Sequence, residues 1–272
     1  MEALGLGLFM ISAGVFGTIL EYPGSSVHQA ISSALARRVL MGLAMGLTAI
    51  GLAYSPWGRR SGAHINPAFT WTFFRLGRVN ASVALLYTVA QFAGGLGGVA
   101  VVAVLFGDAF LGRPVEGVAT LPSAAGISIA FTSELVISTI LMLVVLTVGG
   151  SKRLGRYTAL FVGALLVLYI TFEAPMSGMS MNPARTFASA LPVRDWRGIW
   201  IYFTAPPLGM LCAAEIYLRA SKRGRRTGCA KIVHHFPCIF CGGKATPVSG
   251  APRRDLQFRA SSSGSEACSG SG

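Results

Sequence analysis

Acidic side chains are scarce in this sequence. Asp and Glu together number 10 in 272 residues, and all charged residues amount to 12%, against about 25% in a soluble domain. Residues 1–220 hold no paired carboxylates, no nucleophile elbow, no Gly-rich phosphate loop and no helix bearing metal ligands. Glu134 and Glu173 are nearly the only acids near the long apolar stretches. That poverty speaks against acid–base catalysis. It also speaks against a coupled transporter, which needs ion ligands or titratable relays near the bilayer midplane. Cysteine is equally thin before the tail: of 5 in the chain, only Cys212 precedes residue 220. Short alternating apolar segments are missing too, which excludes a membrane β-barrel. The formal charge of +13 does not imply a nucleic-acid partner, because the cations sit between apolar runs and in the tail.

What the chain has instead is apolar length. It is 53% hydrophobic with a mean hydropathy of +0.60. Six runs stand out, at approximately 3–20, 38–54, 82–106, 126–149, 157–174 and 199–218. Each approaches the roughly 20 residues that cross a bilayer core as a helix. Helices are the expected form, since a span must close its own backbone hydrogen bonds. The first run lacks a basic leading region and a clear cleavage site, and is read as a retained span rather than a signal peptide. With both termini placed in the cytoplasm, 17 of the 23 Lys and Arg fall on that side, as the positive-inside rule requires. The expected location is a plasma or inner membrane. Glycine is plentiful, and the pairs Gly42/Gly46 and Gly94/Gly98 have the spacing of close helix crossings.

Two tripeptides dominate the pattern. Asn66-Pro67-Ala68 follows the second run, and Asn182-Pro183-Ala184 follows the fifth. Pro suits the first position of a helix, where its missing N–H would be unpaired anyway, and Asn suits the cap in front of it. Short helices are predicted over Phe69–Leu76 and Arg185–Leu191. Neither is long enough to span. Three long runs precede the linker at 107–125 and three follow it, so the second half is inverted relative to the first, and the two short helices enter from opposite faces. The expected fold is therefore all-α: six transmembrane helices plus two half-helices in an inverted 3+3 repeat. Its channel domain covers 1–220, with repeats at about 1–106 and 126–218. Half-helices meeting tip to tip aim two positive ends at one point, a known way to build a substrate path. Glu2 and Glu134 hold corresponding places at the starts of spans one and four. A buried carboxylate needs partners, and bracing the half-helix loops is the expected role rather than proton relay.

Taken together, Ser61-Gly62-Ala63-His64-Ile65-Asn66-Pro67-Ala68, Asn182-Pro183-Ala184-Arg185, Glu134 and the inverted repeat resemble the major intrinsic protein family, the aquaporins and glycerol facilitators, over about 1–220. The resemblance implies a homotetramer with one pore per subunit, passing water and small neutral solutes through the lipid bilayer without a cofactor and without enzymatic activity. It implies that Asn66 and Asn182 donate to the passing molecule. Carbonyls of Gly62, Ala63, His64, Gly178, Met179 and Ser180 would line the wall, and Arg185 would stand at the outer constriction. It also places Met45, Ile170 and Met179 in that filter. This set lacks the aromatic and histidine of water-selective members, and the two aromatics and glycine of glycerol-type members. Thr186, Ala190 and Tyr202-Phe203 lean toward the water branch of the bacterial type. Water with other small neutral solutes is the expected cargo, and a glycerol, metalloid or ammonia facilitator is the alternative.

Residues 221–272 are basic, rich in Ser and Gly, and are predicted to form a largely disordered cytoplasmic tail. Cys229, His234, His235, Cys238 and Cys241 cluster there. They have the ligand chemistry of zinc, but only half of a usual zinc pattern. A redox pair and no role at all are the other readings.

Overall fold

The structure is a computed structural model, and it describes residues 1–220, 229–233 and 240. Eight helices carry the architecture: α1 (Glu2–Glu21), α2 (Ala34–Tyr54), α3 (Pro67–Arg75), α4 (Ala81–Phe106), α5 (Ile127–Gly149), α6 (Thr158–Phe172), α7 (Pro183–Val193) and α8 (Ile199–Ala220). No strand occurs among the described residues. Helices α1, α2, α4, α5 and α8, and α6 together with the turn before it, are long and apolar enough to cross a membrane. The short pair, α3 and α7, are the half-helices.

The packing has an internal two-fold. In the first half α1 packs on α4 and α2, and α3 packs on α4. In the second half α5 packs on α8 and α6, and α7 packs on α8. Between halves, α2 lies against α6, α3 against α8 and α7 against α4. Every contact thus has a counterpart or is its own counterpart. The small-residue spacing does what it suggested. A Cβ on Gly94 would stand 2.0 Å from the Ala3 carbonyl oxygen, and one on Gly98 would stand 2.3 Å from that of Gly7. Only glycine permits the α1–α4 backbones to approach this closely.

The ends of some helices differ from the sequence reading. α2 starts at Ala34, ahead of the expected residue 38, because the Ser33 hydroxyl accepts the Ala36 N–H at 3.3 Å and caps it. α6 stops at Phe172 rather than 174. α7 continues to Val193, where Arg194 turns left-handed at φ 53°. The outward faces remain apolar: Val104 is 85% exposed and Leu86 66%. Such faces fit hydrocarbon rather than water.

Candidate functional site

The half-helix tips are built alike. Asn66 Oδ1 accepts the Ala68 N–H at 2.9 Å. Asn182 Oδ1 accepts the N–H groups of Ala184 at 3.0 Å and Arg185 at 3.2 Å. The amide ends then cross over. Asn66 Nδ2 donates to the Met181 carbonyl at 2.7 Å, and Asn182 Nδ2 donates to the Ile65 carbonyl at 2.7 Å. Met181 directly precedes Asn182, and Ile65 directly precedes Asn66, so each tip is stitched to the loop of the other. One proton of each amide is engaged in this way, and the second is left for another acceptor.

The loops leading to the tips are strained in matching places. Gly62 has φ 100°, Ala63 54° and Ile65 42°; Gly178 has 80°, Met179 49° and Met181 54°. Non-glycine residues in this region cost about 1–3 kcal/mol each and persist only where the surroundings fix them. Two carboxylates do the fixing. Glu2 accepts the N–H groups of His64 at 3.2 Å and Ile65 at 2.6 Å, and takes a third bond from Gln91 Nε2 at 2.8 Å. Glu134 accepts those of Ser180 at 2.6 Å and Met181 at 2.8 Å, with Ser177 Oγ donating at 2.9 Å. In a trans peptide the C=O points opposite to the N–H. The carbonyls of Ala63, His64, Met179 and Ser180 therefore point away from the glutamates.

They point toward a cavity of about 300 Å³. Its wall is a set of helical stripes: Arg38, Met41, Met45, Ala49 and Ala53 on α2, and Ala159, Val162, Leu166 and Ile170 on α6. Spacings of three and four put each set on one face. Phe9 and Ala13 of α1, and Leu141 and Val145 of α5, close the sides. Asn66, Asn182 and Arg185 all border this one space, together with Ala63, His64, Gly178, Met179 and Ser180. Met45, Ile170, Met179 and Arg185 all border this cavity. Arg185 Nη1 is buried with no hydrogen-bond partner among the described residues. A guanidinium does not give up a bond without loss, so an incoming oxygen atom is its natural partner.

Both half-helix tips and Arg185 meet at one cavity, and residues 2–217 match the major intrinsic protein family. The chain belongs to this family. It is therefore an integral membrane protein, with six helices long and apolar enough to span. Aquaporin NIP1-2 of Arabidopsis thaliana is 36% identical over 176 residues, covering 63% of this chain and 59% of the relative. Probable aquaporin NIP7-1 of the same plant is 31% identical over 222 residues, covering 81% and 76%. The chain thus spans about three fifths of the length of the first of these. The solved structure of the aquaglyceroporin from Plasmodium falciparum superposes with a TM-score of 0.64 at 20% identity, covering 80% of this chain and 93% of that one, and establishes the shared fold. These likenesses run to plant aquaporins and do not single out the bacterial-type water branch expected from Thr186, Ala190 and Tyr202. Thr186 has a local task, since its hydroxyl bonds those of Ser180 and Thr120.

Several wall residues were absent from the sequence reading. Met41 and Arg38 were findable, because they continue the stripe of Met45 one and two turns back. Val118 and Ala119 of the linker, and Ile232 of the tail, also border the cavity, and no periodicity announces them. His64 engages its ring as well as its backbone: Nδ1 lies 3.1 Å from Thr70 Oγ1 and Nε2 2.8 Å from the Ala230 carbonyl. Of the proposed zinc ligands, Cys229 is described, while His234, His235, Cys238 and Cys241 lie outside the described residues. Among the described residues no group of three or more His, Cys, Asp or Glu is placed to hold a metal.

Proposed function

We propose that this chain is a passive channel for water and small neutral solutes that excludes ions and protons. It would sit in a plasma or inner membrane, with both termini in the cytoplasm by the charge asymmetry, as a homotetramer of independent pores by family resemblance. The observation that carries the reading is the single cavity bordered by Asn66, Asn182 and Arg185.

The residues act as follows. A permeating water gives up hydration and gains the carbonyls of Ala63, His64, Met179 and Ser180 as acceptors. At the centre, the free amide protons of Asn66 and Asn182 hold its oxygen. Its hydrogens then face outward to both neighbours, so no chain of donors runs through. The N-termini of α3 and α7 add a positive field that opposes cations and protons. Arg185 gives its unpartnered Nη1 to the solute at the constriction and repels cations there. An ion of either sign finds too few partners along the apolar stripes to replace its water.

A second reading rests on the filter. Met45, Ile170 and Met179 present no strong donor opposite Arg185, and methionine adapts its shape. That makes the constriction apolar on all sides but one, which suits small amphiphilic solutes such as polyols as well as water. Stopped-flow light scattering on proteoliposomes, with water, glycerol, urea and ammonia compared side by side, tests both. Fast shrinkage with no dependence on ion gradients is expected. Rates equal to those of empty liposomes, or saturable flux driven by an ion gradient, would overturn the channel.

A further inference from the structure

Residues 229–233 return to the channel body and occupy one end of the pore. The Ala230 carbonyl receives His64 Nε2 at 2.8 Å. A carbonyl only accepts, so Nε2 carries the proton. The Ile232 N–H donates to the Gly62 carbonyl at 3.2 Å, which occupies one of the two lone-pair sites of an acceptor expected to serve the pore. Lys231 Nζ donates to the Arg59 carbonyl at 2.9 Å. Ala230, Ile232 and Val233 are all buried, and Ile232 borders the cavity. The Phe240 ring lies nearly parallel to His64, 6.2 Å away.

The opposite end explains what this arrangement is. There, linker residues Val118 and Ala119 border the cavity. Thr120 bonds Thr186, which bonds Ser180. Ser180 is the counterpart of His64, and Thr186 of Thr70, by the same offset that relates the two asparagines. A Cβ on Gly178 would meet the Leu121 nitrogen at 2.9 Å, as one on Gly62 would meet the Ala230 oxygen at 2.7 Å. Each pore loop is thus covered by a strip of chain outside the eight main helices. The outer strip is held covalently between α4 and α5. The strip at 229–233 lies outside the inverted repeat, beyond α8, and is attached to the pore loop by noncovalent contacts.

We propose that residues 229–233 are a docked gate over one pore mouth, with Ile232 setting its aperture, and that undocking raises permeability. The inference rests on the channel reading above. When docked, the strip takes one lone-pair site of the Gly62 carbonyl and sets an apolar side chain into the path, and a narrow apolar constriction gates by dewetting. When undocked, that site is returned to the solute.

The test uses the full chain in proteoliposomes, with water flux counted per channel by quantitative immunoblot. Three variants are compared with the wild type: Ile232→Gly, Ile232→Trp, and the combined Ala230→Gly, Lys231→Ser and Ile232→Gly. The Gly variant and the combined variant should conduct at least about threefold faster, and the Trp variant at least about threefold slower. A residue that merely packs would not answer to side-chain size in opposite directions. Equal flux in all four chains, above that of empty liposomes, would overturn the gate and leave the channel standing. A combined variant slower than the wild type would also overturn it, by making the strip a required wall. Flux at the empty-liposome level in every chain would bring down the channel reading itself, and the gate with it.

Discussion

Glu134 accepts the Ser180 amide at 2.6 Å, the shorter of the two main-chain bonds with which it holds the second pore loop open. Glu134→Ala would strand the N–H groups of Ser180 and Met181, and a buried unsatisfied donor costs about 1–3 kcal/mol. We expect a loss of several kcal/mol, read as a clear fall in thermal midpoint in detergent, together with loss of water flux. Glu134→Gln keeps one acceptor and should fall between. An unchanged midpoint for Glu134→Ala would show that the loop does not depend on this brace.

Asn66 and Asn182 each cap a helix and cross to the other loop. Either Asn→Ala change removes a cap worth about 1 kcal/mol and leaves a carbonyl, of Met181 or Ile65, without its donor. The tips are built alike except that Asn182 also accepts the Arg185 N–H at 3.2 Å, so the two variants should lose similar stability, within about 0.5 kcal/mol, with any excess on the Asn182 side. Chemical unfolding of both in one detergent checks this. A twofold or greater disparity would mean that the halves are not balanced.

Arg185 borders the cavity with an unpartnered Nη1, and in the proposed channel it stands at the constriction. Arg185→Val should widen the filter and remove its charge. Glycerol and urea flux should rise about tenfold while water flux stays within about threefold. Side-by-side stopped-flow traces measure the ratio, and an unaltered ratio would remove Arg185 from the filter.

Ile170 borders the same cavity as Arg185 and offers it no polar group. Ile170→His would add one and narrow the opening. Glycerol flux should drop about tenfold, with water flux changed far less. Equal losses for both solutes would indicate general blockage rather than selection.

In the turn before α8, Arg197 donates to Asp195 through Nε at 3.0 Å and through Nη2 at 2.6 Å. These hydrogen bonds, first among the causes, hold the Asp195 carboxyl below its usual range. A depressed carboxyl contributes order that is complete above its unfolded value of about 3.9 and is lost as pH falls through the folded one. The turn should therefore be unchanged between pH 5 and 8. In Arg197→Ala, the Asp195 titration followed by NMR should move to higher pH, and a midpoint left in place would contradict the pairing.

Much of the fold was readable because the bilayer enforces long apolar runs, and because Pro67 and Pro183 mark helix starts by chemistry that needs no tertiary context. The glutamate braces were readable for a similar reason, since a carboxylate buried at Glu134 has to find donors nearby. Ends such as Ala34 and Val193 were not, since they turn on a single serine cap and one left-handed residue. The linker and tail contributions were hidden for a different reason. Val118 and Ile232 reach the pore by irregular chain, with positive φ at Glu116 and Val118, and irregular chain leaves no period in the sequence. The symmetry of His64–Thr70 with Ser180–Thr186 was present in the residue numbers, but a histidine and a serine look unrelated until both are seen bonding a threonine six residues further on.

The left-handed residues Ala63, Ile65, Met179 and Met181 have a lasting consequence. In the proposed channel they turn peptide bonds, rather than side chains, into the guides for a molecule in transit. Exchanging residues along α2 or α6 alters the bore but leaves those guides untouched. How wide the corridor is and which way its occupants face are thus set by separate parts of the protein, and each can be changed without rebuilding the other.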